Sequence, residues 1–284
     1  MKPSEKWIYI DKHINSFNLF RDIKILFSNL FLIQALLRRD FLSVFKQTIL
    51  GPTWFILQPV VTTIVFTIIF GRVAQIPTDG ISPFLFYLSG VVGWNFFIQN
   101  TGRSSNLLGD NFSLLSKIVF PIIILPFNSI VITMLRFLIQ YISFLLFLIF
   151  FWFIGFDFKY SFFSILTTFY SILNLAILSS GLGMLMCSLT TKYKDMVYVN
   201  SFVLGLMIYV TPVVYPLSSA TGKLGILLSM NPITFHVELF RYSHLGEGTL
   251  IFYSAVWSMI SSIIIFYIGY LMFKRRATIF VDTI

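Results

Sequence analysis

Arg136 is hard to explain as simple packing, because it lies inside a long apolar stretch. Ser129, Thr133, Gln140 and Ser143 recur around it at steps of three and four, so a helix places all five residues on one face. Ionisable groups inside membrane-spanning segments are rare and are candidates for function. The face could line a hydrated path for a polar cargo, or it could form a buried hydrogen-bonded seam. The long Arg136 side chain could also reach toward a membrane surface.

The other groups that could carry chemistry are isolated along the chain. His13, His236 and His244 lack the spacing of a metal site such as H-E-x-x-H. The single cysteine, Cys187, excludes a disulfide framework and a paired-cysteine metal site, and we expect it to pack in the interior. The sequence therefore predicts no catalytic residue, no bound cofactor and no metal ion in this chain.

Nucleotide-binding motifs are not found in the sequence either. The nearest match to the G-x-x-x-x-G-K-[ST] loop is Gly222 with Lys223, but Leu224 follows and the leading glycine is missing. Gly181 and Gly183 lie in an apolar stretch without a preceding strand, so they predict close helix packing rather than a dinucleotide site. We therefore do not expect the chain to hydrolyse ATP by itself.

The composition indicates which elements must hold these residues. Of the 284 residues, 57% are hydrophobic and 11% are charged. An average soluble domain is about one quarter charged, and a soluble fold of this size could not bury so much apolar surface. We expect an all-α integral membrane protein, whose net charge of +9 reflects membrane topology rather than binding to nucleic acid.

Six stretches are candidates for crossing a bilayer, whose hydrocarbon core of about 30 Å is spanned by about 20 helical residues. They are residues 54–70, 84–100, 126–153, 162–189, 196–215 and 249–273. None of them contains Asp or Glu, which argues against a proton relay inside the membrane. The sequence therefore predicts a transmembrane domain of six helices over residues 54–273.

The positive charges predict the orientation of these spans. Most of the 20 Lys and Arg residues lie before the first span, in the loops near residues 103–117 and 190–195, and in a tail over residues 274–284. The opposite loops hold only Arg72, Lys159, Lys223 and Arg241. By the positive-inside rule, both termini are expected in the cytoplasm.

Two segments precede the first span. Residues 1–25 are polar and have no apolar stretch after a basic start, so they predict a cytoplasmic extension rather than a cleaved secretory signal. Residues 26–53 carry apolar side chains at steps of three and four, namely Leu30, Ile33, Leu37, Phe41 and Val44. This pattern predicts an amphipathic helix at the membrane interface, with a soluble cytoplasmic helix as the alternative.

Residues 217–248 separate the last two predicted spans and are broken by Gly222, Gly225 and Pro232. The stretch 224–230 inside this segment is nevertheless apolar. Irregular backbone at membrane depth is tolerated only where protein buries it or where it lines a cavity. The segment is therefore either a short re-entrant pair of helices at the outer face or a plain external loop.

Aromatic residues cluster at the ends of the predicted spans, for example Trp54, Trp94 and Trp152. Most of them are typical of the aromatic belts at membrane interfaces. Aromatic rings can also stack on sugar rings, and the sequence does not separate the two roles. Trp54 therefore joins the polar face around Arg136 as a candidate residue of a translocation path.

Most of the chain resembles a known family, and the specific part of the likeness is an N-terminal block. The specific matches are residues 38–40 (Arg-Arg-Asp), 46–54 (Lys-Gln-Thr-Ile-Leu-Gly-Pro-Thr-Trp), 57–59 (Leu-Gln-Pro) and 66–72 (Phe-Thr-Ile-Ile-Phe-Gly-Arg). Weaker matches follow in the family's order at Lys117, 120–121, 125–126, 193–195, 211–215 and 231–232. These segments resemble the ABC-2 type permeases that export polysaccharides such as O-antigen, teichoic acid and capsule.

The resemblance implies a multi-pass transport subunit of the bacterial inner membrane rather than an enzyme. Two copies would form a homodimeric channel, and two separate ABC ATPase subunits would bind ATP and Mg²⁺. The cargo would be a glycan attached to an undecaprenyl-type lipid. Arg136 matches no motif of the family, so its role is a hypothesis from its position alone.

The resemblance also implies roles for two loops. Residues 104–117 would form a coupling helix, with a lipid-surface helix as the alternative. Its candidate contacts with the ATPase are Leu107, Leu108, Phe112, Leu114, Leu115 and Lys117. Re-entrant helices over about residues 217–241 would form an outer gate, with the candidates Pro212, Tyr215, Pro216, Asn231 and Pro232.

Three other functions compete with this interpretation. An ABC-2 permease for a drug or another small hydrophobic molecule would share the helices but not the N-terminal likeness. A membrane glycosyltransferase or polysaccharide ligase should present a cluster of catalytic charges in a large outer loop, and none is evident. An ion-coupled flippase should carry buried acidic residues, which the predicted spans lack.

Overall fold

A computed structural model describes residues 19–45, 49–118, 120–156 and 162–282. Within these ranges all regular structure is helical, which confirms the predicted all-α class. Most of the predicted N-terminal extension lies outside the described residues. So do residues 46–48 of the family motif, Lys159, and the side chain of Val44.

Twelve helices follow one another along the described residues. The chain begins with α1 (Leu19–Ser28), α2 (Leu30–Phe45) and α3 (Trp54–Phe66), which continues as a π-helix over Thr67–Val73. The middle of the chain holds α4 (Pro83–Ser104), α5 (Leu107–Asp110), α6 (Phe112–Leu115), α7 (Ile124–Phe153) and α8 (Phe162–Thr190). The last helices are α9 (Met196–Val210), α10 (Gly222–Ser229), α11 (Pro232–Leu245) and α12 (Phe252–Asp282).

Four helical segments of the described chain are long and apolar enough to cross a membrane. They are Gly51–Val73, Ile124–Phe153, Phe162–Thr190 and Phe252–Phe280. They correspond to four of the six predicted spans, although the last begins at Phe252 rather than at residue 249, and they indicate a multi-pass membrane protein. The remaining two predicted spans are also helical, as α4 and α9, but α4 is largely buried among its neighbours and α9 has only 15 residues.

The fifth predicted span ends earlier in the structure than the predicted residue 215. Helix α9 stops at Val210, and Thr211 has an extended backbone with φ −103° and ψ 137°. A residue that precedes proline avoids the helical region because of clashes with the proline ring, and Pro212 follows here. At its far end, α12 runs on through residues 274–282, which the sequence assigned to a tail.

Helices α8 and α12 approach each other closely at two glycines. A Cβ atom added to Gly181 would lie 2.5 Å from Cα of Phe266, and one added to Gly269 would lie 2.1 Å from the carbonyl oxygen of Gly181. A Cβ atom added to Gly183 would lie 2.2 Å from Cβ of Ser104 in α4. These contacts confirm the predicted packing role of Gly181 and Gly183.

The bundle has two ends, and α12 runs between them. Near its start, Ser254 Oγ donates a hydrogen bond to the Ser229 carbonyl oxygen at 3.1 Å, so α10 and α11 lie at this end. Near its other end, Lys274 Nζ lies 2.8 Å from Asp22 Oδ2 of α1. We use the name distal end for the side of α10 and α11, and proximal end for the side of α1, α2, α5 and α6.

The N-terminal helices pack on the proximal end. The described part of residues 26–53 forms the end of α1, then α2, and a short 3-10 turn at Gly51–Thr53. A turn at Asn29, whose Nδ2 donates to the Ile25 carbonyl oxygen at 2.8 Å, separates α1 from α2. Ile33 in the predicted apolar stripe is buried against Ile124 at the start of α7. Part of the stripe thus contacts protein.

Candidate functional site

The polar face around Arg136 lies on α7, and the structure separates its members by burial. Ser129, Thr133, Gln140 and Ser143 are buried, whereas Arg136 is half-buried. Thr133 and Ser143 donate to carbonyl oxygens of their own helix, those of Ser129 and Gln140, at 2.9 and 2.8 Å. These two side chains therefore satisfy their hydrogen bonds locally, as threonine and serine in helices commonly do.

Ser129 takes part in a hydrogen-bonded seam that crosses three helices. Its Oγ donates to Asn100 Oδ1 of α4 at 3.3 Å and accepts from Ser104 Oγ at 3.2 Å. Asn100 Nδ2 in turn donates to Ser179 and Ser180 of α8 at 2.7 and 2.9 Å. At Ser129 the geometry matches the seam interpretation of the polar face.

Arg136 has different surroundings. Its guanidinium carbon lies 5.1 Å from the ring centroid of Phe55, in the first turn of α3, which is within the range of a cation–π contact. Its Nε is buried without a hydrogen-bond partner among the described residues. The adjacent candidate Trp54 is 50% exposed. The structure thus brings together Arg136 and the start of α3 but keeps the rest of the polar face inside.

Asp40 organises the proximal end. Its carboxylate pairs with Arg39 at 2.6 Å and with Arg103, at the end of α4, at 2.5 Å. It also accepts a hydrogen bond from Asn128 Nδ2 of α7 at 2.8 Å, while Arg39 Nη2 donates to Asn111 Oδ1 at 2.8 Å. We name these five residues the Asp40 junction. It joins α2 to α4, to α7 and to the loop that carries α5 and α6.

A polar cavity of about 180 Å³ adjoins the Asp40 junction and is also lined by Asp110 and Ser129. Burial raises the pKa of the Asp110 carboxyl above its usual range; the positive charge of Arg103 opposes this shift and the negative charge of Asp40 adds to it. The junction is therefore an ionic site with room for water rather than a dry contact.

Only some of the candidate residues in the predicted coupling loop are exposed. Leu107, Leu108 and Leu115 are buried in a cluster with Tyr270 and Phe273 of α12. Leu114 is half-buried near α2. Phe112 and Lys117 are the exposed members of the six candidates, although one edge of the Phe112 ring contacts Phe280 of α12, with the ring centroids 6.0 Å apart.

The predicted gate residues lie together at the distal end. Asn231 caps α11, because its Oδ1 accepts from the Ile233 amide at 3.1 Å, and its Nδ2 donates to Thr211 Oγ1 at 3.0 Å. Pro232 occupies the first turn of α11, where no amide donor is needed. Pro216 is buried, and Tyr215 donates its hydroxyl to the Tyr209 carbonyl oxygen at 3.0 Å.

A buried ion pair fixes this distal segment. Glu238 and Arg241, one turn apart on α11, are each 1% exposed and lie 3.0 Å apart. Arg241 donates to the carbonyl oxygens of Pro212 and Val213 at 2.6 and 2.7 Å. Glu238 accepts from the Leu217 and Thr249 amides at 3.4 and 2.9 Å.

Helix α4 packs directly against Arg241 of this pair. The Arg241 guanidinium carbon lies 3.7 Å from the centroid of the Phe86 ring. A Cβ atom added to Gly90 would lie 2.9 Å from Arg241 Nη2, so the glycine makes room for the cation. The pair therefore ties the turn after α9 and the loop before α12 to α4.

Reasoning from the sequence missed both the Asp40 junction and the distal ion pair. Asp40 was noted only as part of a family motif, and Arg241 only as a cation of an outer loop. Glu238 and Arg241 at a spacing of three residues carried a local signal, because such residues face each other on a helix. No comparable signal connects Asp40 with Arg103, 63 residues further along the chain.

Several known proteins are similar to this chain. The O-antigen export system permease protein RfbA of Myxococcus xanthus is 23% identical over 204 residues, which cover 71% of this chain and 75% of that protein. RfbA of Klebsiella pneumoniae is 21% identical over 214 residues, covering 74% and 78%. The polysialic acid transport protein KpsM of Escherichia coli is 25% identical over 249 residues, covering 86% and 93%.

A family model confirms the resemblance found in the motifs. The sequence model of the ABC-2 type transporter matches residues 31–245, from the start of α2 to the end of α11. The match includes the Asp40 junction, the polar face of α7 and the distal ion pair. The chain therefore belongs to the ABC-2 type transporter family and resembles its polysaccharide export permeases.

Proposed function

We propose that this chain is the transmembrane subunit of an ABC exporter that moves a lipid-linked polysaccharide across the bacterial inner membrane. The observation that carries the proposal is the family match over residues 31–245, together with the likeness to O-antigen and polysialic acid exporters over most of the chain. ATP would be bound and hydrolysed by a separate ATPase subunit. The transport subunit would act as a homodimer, with one ATPase beneath each copy.

In this proposal α3, α4, α7, α8, α9 and α12 are the six spans, and the proximal end faces the cytoplasm. The distribution of Lys and Arg supports this orientation. Helix α10 has 8 residues, so its length of about 12 Å is too short to cross a bilayer. Helices α10 and α11 would therefore enter and leave the membrane on the outer side and form the gate, held by the distal ion pair.

Coupling to the ATPase would begin at the loop of α5 and α6. Phe112 and Lys117 are the exposed candidates for direct contact. A displacement of this loop would reach α2 through Asn111 and Arg39, and would reach α4 and α7 through Asp40. The Asp40 junction would thus distribute movement of the coupling loop to the helices that surround the path.

The decisive experiment is depletion of this protein in its own bacterium, followed by analysis of lipid-linked glycans. We expect a polymer attached to a polyisoprenoid phosphate to accumulate inside the cell while surface polysaccharide falls. A plasmid copy should restore export only together with an intact ATPase partner. Unchanged surface polysaccharide, or accumulation of a small hydrophobic compound instead, would refute the proposal and support the rival ABC-2 function.

A further inference from the structure

Arg136 has no counter-charge among the described residues. The acids Asp22, Asp40 and Glu238 pair with other cations, and no ion pair of the described residues includes Arg136. Its Nε is buried and unpaired. A partly buried cation without a partner is unfavourable, because desolvation is not offset by attraction to a carboxylate. An anionic ligand would remove this penalty.

The position of Arg136 favours a ligand that reaches it from the proximal side. Arg136 is twelve residues after Ile124, the first residue of α7, or about 18 Å along the helix axis. About 26 Å of the helix follows it, so Arg136 lies in the proximal half. Long side chains on a helix point back toward its N-terminus, which is here the proximal end. This direction agrees with the contact to Phe55 in the first turn of α3.

The surroundings provide hydrogen-bond donors and a second cation, Arg103, which is itself paired with Asp40. The positive charge of Arg103 acts on Arg136 and raises the local attraction for anions. Gln140, one turn further on the same face, is 1% exposed and its Nε2 also lacks an acceptor among the described residues. A guanidinium presents several donors in a planar fork that matches the oxygens of a phosphate.

We propose that Arg136 and Phe55 form a binding site for the phosphate group that links the polysaccharide to its lipid carrier. The site lies between α3 and α7, where Phe55 orients the guanidinium from one side. The proposal rests on the proposed export function, because that function supplies a cargo with a lipid chain and a phosphate. Gln140 Nε2 would donate a hydrogen bond to an oxygen of the cargo above the phosphate.

The proposal can be tested on the purified full-length protein in nanodiscs of neutral phosphatidylcholine, without an ATPase. The probe is farnesyl diphosphate, a short isoprenoid diphosphate, and farnesol and inorganic pyrophosphate serve as comparisons. We expect Arg136→Leu to weaken binding of farnesyl diphosphate at least about tenfold, a loss of about 1.4 kcal/mol. Arg136→Lys should show an intermediate loss, because a point charge lacks the fork.

Arg72→Leu is the matched control, since it removes an exposed cation at the distal end of α3. It should leave diphosphate binding unchanged. Equal binding by Arg136→Leu, or an equal loss in the control, would overturn the site. Full competition by phosphatidylglycerol would also overturn it, because the site would then bind any anionic headgroup.

Two further measurements keep the result interpretable. Thermal unfolding should show that Arg136→Leu and Arg136→Lys remain folded. A fall in oligomeric mass for Arg136→Leu, measured by light scattering, would assign Arg136 to a subunit contact and overturn the proposal. Binding that depends on Arg136, combined with no glycan accumulation on depletion, would refute the polysaccharide cargo while leaving the phosphate site intact.

Discussion

The Asp40 junction and the distal ion pair, at opposite ends of the bundle, differ in their contact with water. Glu238 and Arg241 at the distal end are each 1% exposed, and main-chain groups satisfy much of their remaining hydrogen-bonding capacity. At the proximal end Arg39 is 45% exposed, Arg103 25% and Asp40 13%, next to a cavity of about 180 Å³.

This difference indicates what each site can do. A buried pair cannot separate without leaving a charge unsolvated, so the distal segment is expected to move as one block. A partly exposed pair can exchange its partner for water at little cost, so the proximal junction can break and reform during a transport cycle. We therefore expect damage at the distal end to affect folding first, and damage at the proximal end to affect transport first.

The largest effect should follow Glu238→Gln. This change keeps the side-chain shape but leaves the buried Arg241 without its carboxylate, so the free energy of unfolding should fall by about 3–5 kcal/mol. Thermal unfolding in detergent measures the loss. Glu247→Gln, in the exposed loop after α11, is the control and should unfold like the wild type. An unchanged midpoint for Glu238→Gln would show that the distal pair does not stabilise the block.

Substitutions in the coupling loop should lower stability where the side chain is buried and weaken ATPase binding where it is exposed. Leu108→Ala removes a fully buried side chain and should lower the free energy of unfolding by about 2–5 kcal/mol. Phe112→Ala removes a half-exposed ring that also contacts Phe280, and should lower it by about 0.5–1.5 kcal/mol, while weakening co-purification of the ATPase partner. If Phe112→Ala retained the partner as the wild type does, the proposed contact would lie elsewhere.

Asp40→Asn should reduce export much more than it reduces the stability of the protein. Because Asp40 and its arginines are partly exposed, the free energy of unfolding should fall by only about 1 kcal/mol or less. Surface polysaccharide should nevertheless fall strongly, since α2, α4 and α7 lose their common partner. Asp40→Glu keeps the charge and should retain part of the export. Normal export by Asp40→Asn would remove the junction from the transport cycle.

A higher salt concentration should weaken the contribution of the Asp40 junction to stability but not that of the distal ion pair. Raising the ionic strength from about 0.1 M to about 1 M shortens the screening length from about 10 Å to about 3 Å. The difference in unfolding midpoint between the wild type and Asp40→Asn should therefore shrink. The difference caused by Glu238→Gln should persist, because a dry pair is screened little. Equal salt sensitivity of the two differences would contradict the distinction between the sites.

The smallest effect is expected from Asp110→Asn. Burial raises the pKa of Asp110 above its ordinary value of 3.8, so the folded state binds a proton more readily than the unfolded state. The ionised carboxylate therefore lowers stability at neutral pH, and this penalty disappears as the pH falls through the raised pKa toward 3.8. The variant should unfold at a slightly higher temperature near pH 7, with the difference closing near pH 4. A variant less stable at pH 7 would reverse the sign.

The apolar spans were predictable from the sequence because the thickness of the bilayer sets how many consecutive apolar residues a crossing helix needs. The stretches predicted at 126–153 and 162–189 appear as Ile124–Phe153 and Phe162–Thr190. The glycines at 181 and 183 were predictable as packing sites for the same reason, since helices in lipid associate through small residues. The early end of α9 was not recognised, although Pro212 carried the signal.

The sequence by itself determined the helices, their apolar character and the family. It also placed Arg136 and its polar neighbours on one helix face. Only the tertiary structure decided which of these residues lie inside, because Ser129 is buried against α4 while Arg136 is left beside α3. Burial and ion pairing depend on residues far apart in the chain, such as Asp22 and Lys274, 252 positions apart, which no local pattern connects.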